Sequence, residues 1–94
     1  MRYAARTDGN QSEIVEAMRA VGASVYVLKL PVDLMVGYNN RTSLVEIKDP
    51  STPYGKKGAN ANQAKFMATW NGGAVALIDS VEAAMRLIKV MGAA

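Results

Sequence analysis

The chain contains neither cysteine nor histidine. The first absence excludes disulfides, zinc-thiolate sites and a thiol nucleophile. The second removes the commonest general base and metal ligand. Any catalysis therefore falls to carboxylates, lysines, hydroxyls or a hard metal held by oxygen. No apolar run approaches the ~20 residues needed to cross a bilayer, so no membrane partner is expected. The opening stretch "MRYAARTDGNQSE" has no hydrophobic export region, and a cytoplasmic protein is the expectation.

What is present is an ordinary globular balance: 50% hydrophobic and 20% charged residues over 94 positions. That length supports one core, so residues 1–94 are read as a single domain. The net charge of +3 is unevenly placed. Residues 1–49 hold six Lys/Arg and six Asp/Glu, whereas residues 50–94 hold five and two. Between Pro50 and Trp70 lie Lys56, Lys57 and Lys65 and no acid. Such a segment suits a polyanionic partner; a solvated loop would look the same.

"GNQSEIVEAMRAVGA" predicts a helix, capped by Asn10 or Ser12 and closed by Gly22, with Ile14, Ala17, Met18 and Val21 as its apolar stripe. Glu13 falls about 100° from the middle of that stripe, on its shoulder. "SVYVLKL", "VDLMVGY" and "TSLVEIK" predict three strands. The last two are almost continuously apolar, which suits strands covered on both faces. "DPSTPYGKKGANAN" reads as a long loop, a kind commonly functional or mobile. "ANQAKFMATWN" predicts a second helix with Gln63, Phe66, Met67 and Trp70 on one stripe. Trp70 reads as core rather than as a base-stacking platform. "GGAVALID" is a fourth strand, and "SVEAAMRLIKVMG" a last helix capped by Ser80, with Val81, Ala84, Met85 and Ile88 inward. The order αβββαβα implies an α/β fold, a mixed four-stranded sheet flanked by helices.

The hairpin between the second and third strands concentrates the chemistry. If Asn39-Asn40 is a two-residue turn, Tyr38 pairs with Arg41. Counting back five places along each strand sets Asp33 directly opposite Glu46, with Lys48 on the same face. Like charges opposed in a sheet are destabilising, and burial makes this worse. A divalent cation would offset the clash, since Mg²⁺ favours a few carboxylates plus water and phosphate oxygens. A salt-bridge cluster with Lys48, or exposure at a strand end after Pro31, would also offset it. Two carboxylates, a metal and an ammonium together suit phosphodiester hydrolysis.

Pro31-Val32-Asp33 followed by Glu46-Ile47-Lys48 resembles the PD-(D/E)XK nuclease signature. "DLMVGYNNRTSLVEIKD", "NQAKFMATW" and "AVALIDSVEAAMRLI" together resemble the virus-type replication-repair nuclease (VRR-NUC) domains, small stand-alone versions of which occur in phages. Val32 between Pro31 and Asp33 departs from the two-letter motif. The resemblance implies a restriction-endonuclease-like αβββαβ core. It implies Asp33, Glu46 and the backbone carbonyl of Ile47 as ligands of Mg²⁺ or Mn²⁺, with Lys48 as the catalytic lysine. Glu13 matches an acid that faces the metal site from the first helix; a solvated first-turn residue favoured by the helix dipole is the other reading. Gln63 matches a site glutamine, although a half-exposed residue bonded to water would fit as well.

The expected function is a metal-dependent, structure-selective DNA endonuclease, similar to Holliday-junction or flap resolvases and acting as a homodimer on branched DNA. Lys56, Lys57 and Lys65 are the expected phosphate contacts. The alternative is a non-catalytic nucleic-acid-binding or assembly module on the same fold, which would not need the carboxylate pair. Sequence-specific cleavage of the restriction type would need recognition elements for which the chain has little room.

Overall fold

A computed structural model of the protein describes residues 9–49 and 61–93. Helix α1 covers Gln11–Ala20; strands β1, β2 and β3 cover Ser24–Val27, Leu34–Tyr38 and Arg41–Ile47; helix α2 covers Ala61–Thr69; β4 covers Ala76–Ile78; and α3 covers Val81–Gly92. The four strands lie in the order β1-β2-β3-β4, antiparallel except for the parallel β3–β4 pair. The molecule is thus a small α/β fold with a mixed sheet and flanking helices, in the element order that the periodicities predict.

The turn between β2 and β3 forms as its residues dictate. Asn39 and Asn40 take φ of 54° and 65°, the left-handed values that Asn tolerates and a two-residue hairpin turn demands. Tyr38 pairs with Arg41, and the same register runs to Leu34 opposite Val45. The Asn39 side chain also donates to the Met91 carbonyl at 3.1 Å, tying the turn to the end of α3. Gly22, at φ 99°, supplies the left-handed residue just beyond α1. Ser80 caps α3, its Oγ accepting from the Ala83 N–H at 3.1 Å.

One face of the sheet carries the core. Val25, Leu34, Val36, Val45, Ile47 and Ile78 alternate onto that face and meet Ile14, Val15 and Met18 of α1 and Ala84, Ile88 and Met91 of α3. Each large side chain sealed there contributes about 1.5–3 kcal/mol. The stripe of α1 is Gln11, Ile14, Val15 and Met18 rather than the predicted Ile14, Ala17, Met18 and Val21. The helix stops at Ala20, and the Val21 side chain lies in solvent.

The other face is less covered than the apolar runs predict. Tyr26 is 65% and Leu77 61% exposed, and Met35 is also exposed. That face is therefore open at Tyr26, Met35 and Leu77 and closed at Glu46, and the continuous hydrophobicity of the strands does not report burial on both faces along their length. Trp70 likewise departs from expectation. It is 42% exposed and outside the buried cluster, stacked on Phe66 with ring centroids 5.3 Å apart. The α2 stripe is apolar, but α2 does not join the core. Most of the long loop predicted before α2, with Lys56 and Lys57, lies outside the described residues.

Candidate active site

Glu46 sits near the end of β3, between Val45 and Ile47 of the core face. Alternation turns its side chain to the opposite face, together with Leu44 and Lys48. There it is 2% exposed, and burial is the main reason its carboxyl pKa is raised above the usual carboxylate value. The neighbouring Asp33 carboxylate raises it further, while Lys48 and Gln63 act in the opposite direction.

Those two residues approach the same atom. The Glu46 Oε2 accepts from the Gln63 Nε2 and lies 3.4 Å from the Lys48 ammonium. Lys48 in turn donates to the Gln63 Oε1 at 3.4 Å, closing a ring of three side chains from β3, the residue just beyond it and α2. Among the described residues Glu46 Oε1 is buried with no hydrogen-bond partner. A buried charged oxygen left bare is expensive, by about 1–3 kcal/mol or more.

Asp33 lies one residue before β2, not within it. The ladder ends at Leu34 opposite Val45, and at the next step the side chain takes over. Asp33 Oδ2 accepts the Ile47 N–H at 2.7 Å, standing where a strand carbonyl would otherwise bond. Because the N–H and C=O of one strand residue point to the same side, the Ile47 carbonyl faces the Asp33 side of β3. The sheet thus brings Asp33, Glu46, the Ile47 carbonyl, Lys48 and, through α2, Gln63 to one end of the β2–β3 pair.

The remaining candidates stand apart or close by. Glu13 is exposed in the first turn of α1, and among the described residues no three acidic side chains are grouped to hold one metal ion. Lys65 is exposed on α2, two residues beyond Gln63. Asn10 does more than its sequence suggests. It makes no side-chain cap to α1; its Nδ2 donates to the Lys48 carbonyl at 3.2 Å and the Asp79 carbonyl at 2.9 Å. It therefore clips together the ends of β3 and β4 behind Lys48, whose own N–H donates to the Ile78 carbonyl at 2.9 Å. An Asn before a helix signals a cap, so nothing in the sequence marks this long-range role.

No family model, curated protein or solved structure matches the chain. Among the described residues no helix is long and apolar enough to cross a membrane.

Proposed function

We propose that the protein is a divalent-metal-dependent, structure-selective DNA endonuclease of the PD-(D/E)XK, VRR-NUC-like type, with a restriction-endonuclease-like core. The observation that carries this reading is Glu46: a buried carboxylate with two donors on one oxygen and, among the described residues, none on the other, with a second acid beside it. Two carboxylates and a strand carbonyl fit a small hard cation, which takes most of its remaining ligands from water and phosphate oxygens. Asp33, Glu46 and the Ile47 carbonyl would hold Mg²⁺ or Mn²⁺; Glu13, exposed on α1 and not grouped with those two acids among the described residues, would stand outside the set. The cation would supply Lewis-acid polarisation of a phosphoryl oxygen and a lowered pKa for water at the site.

The chain's own groups account for the rest. Lys48 brings an ammonium to where the non-bridging oxygens of a phosphodiester gain negative charge during attack. Gln63 fixes both Lys48 and Glu46, so that cation and carboxylate keep one geometry. Lys65, with Lys56 and Lys57 in the preceding segment, supplies phosphate contacts that position DNA without reading sequence. Two copies related by a two-fold axis would give so small a chain enough surface to hold a branched substrate and cut both of its strands.

Cleavage of flapped, four-way and linear DNAs with Mg²⁺ or Mn²⁺ tests this directly. Asp33→Asn is the informative variant, because its amide oxygen still accepts the Ile47 N–H while the charge is lost. Asp33→Asn and Lys48→Ala should each abolish cutting and leave DNA binding measurable. Undiminished cutting by either would refute the site. Binding without cleavage by the wild-type protein, whichever metal is present, would replace the enzyme with a non-catalytic nucleic-acid-binding module.

A further inference from the structure

The β1–β2 loop carries a feature that this chemistry does not use. Between Val27 and Asp33 the chain reads Leu28-Lys29-Leu30-Pro31-Val32. Its base is closed, since the Leu28 N–H donates to the Asp33 carbonyl at 2.8 Å. One end is pinned by Val32, whose side chain is fully buried. At the tip Lys29 takes φ 76°, a left-handed conformation that a long L side chain rarely adopts. The next residue, Leu30, is 79% exposed, more than any other large hydrophobic among the described residues.

A strained backbone and an apolar side chain held out in water are both locally unfavourable. They occur together here, three residues before Asp33. Three residues of chain reach at most about 11 Å, roughly three steps of a stacked nucleic-acid strand at 3.4 Å each. We propose that Leu30 is a wedge that enters the base stack at the branch point of the DNA, with Lys29 on an adjoining phosphate.

Leucine is among the apolar side chains that insert between base steps and unstack them. Insertion costs least where stacking is already interrupted, as at a flap or junction. The loop would therefore favour branched over continuous duplex without contacting any base edge. This assignment rests on the DNA-cleaving reading above and adds to it the origin of structure selectivity.

A 2-aminopurine placed at the branch of a flapped DNA reports the unstacking. Binding of the wild-type protein in EDTA should raise its fluorescence, and the same base in continuous duplex should respond little. Leu30→Ala should lose that rise, and its preference for cutting branched over linear DNA in Mg²⁺ should fall by about tenfold. Leu30→Met, which keeps an apolar wedge of similar size, should retain both. Because the side chain is exposed, Leu30→Ala should melt at the wild-type temperature, which separates loss of the wedge from loss of the fold. Leu30→Ala that keeps the fluorescence rise and the preference overturns the wedge and leaves the nuclease standing. A change of oligomeric state on a sizing column, with the fluorescence rise intact, also overturns it and assigns Leu30 to an interface between copies. A wild-type protein that neither binds nor cuts any of these DNAs overturns both readings.

Discussion

Glu46→Gln should make the metal-free protein more stable at pH 7. The wild-type side chain is buried, bears an oxygen without a donor among the described residues, and faces the Asp33 carboxylate. Removing the charge relieves the desolvation of a buried carboxylate, several kcal/mol per ion, and its repulsion from Asp33, while the amide, still short of one partner, gives back about 1–3 kcal/mol. The substitution also removes the 3.4 Å pair with Lys48, a partly exposed interaction worth up to about 1 kcal/mol. The net gain is about 1–2 kcal/mol, and for a domain of this size each kcal/mol moves Tm by about 4–8 °C. The sign of the pH dependence follows from the raised pKa. Above the ordinary value of 4.5 the folded state keeps the Glu46 proton longer than the unfolded state does, so wild-type stability falls as pH rises through that window. Glu46→Gln has no such loss at this position, so its advantage should be small near pH 4.5 and widen as pH rises. Calorimetry in EDTA across this range measures the gap. Added Mg²⁺ should then stabilise the wild type, by about 2.7 kcal/mol at a hundred times Kd, and leave the variant nearly unmoved. A variant that is less stable at pH 7, or a gap that narrows as pH rises, would refute the account of Glu46.

Gln63→Leu should lower kcat by roughly 10–100-fold, as losses around a metal site do, and should shift the acid limb of the pH–rate profile upward. The direction follows because the Gln63 hydrogen bond holds the Glu46 pKa down; a reduced rate with an unmoved profile would make Gln63 merely structural. Changing Lys56, Lys57 and Lys65 to Ala should reduce the salt dependence of duplex binding, by about 0.9 in log–log slope for every phosphate no longer neutralised. An unchanged slope in binding titrations between about 50 and 200 mM salt would remove those lysines from the interface.

How much of this was legible depends on the range of the interaction. The Asn39-Asn40 turn is a local choice, and it set the β2–β3 register as far as Leu34 opposite Val45; it brings Asp33 close to Glu46 but not as the counted cross-strand pair, because Asp33 falls before β2 and its carboxylate accepts the Ile47 N–H. The single polar member of the α2 stripe, Gln63, was legible as an anomaly, and the structure turns it onto Glu46 and Lys48. The same stripe misleads at Trp70, because an apolar helix face reads alike whether it joins the core or lies outside it. β1 ends at Val27 rather than continuing through Leu30, since Lys29 leaves the extended region, and no residue type at that point announces the break. Asn10 was legible only as a cap. Its partners are 38 and 69 residues away, a separation at which side-chain pairing leaves no pattern.

The arrangement around Glu46 also bears on why the acids are there. Were Lys48 present only to balance a buried charge, its most effective place would be on the bare oxygen, where it would relieve the desolvation of Oε1 as well as supply charge. Instead Lys48 and Gln63 share Oε2. Asp33 is not drawn back into the ladder either; one oxygen closes the end of the sheet on the Ile47 N–H, and its charge stays close enough to raise the Glu46 pKa. Local patterning, turn chemistry and core packing agree elsewhere in the hairpin, so the unfavourable pair is confined to the point where a cation and a phosphate would be met. A charge rule broken at one place, within an otherwise regular hairpin, is what the proposed site would leave in the sequence.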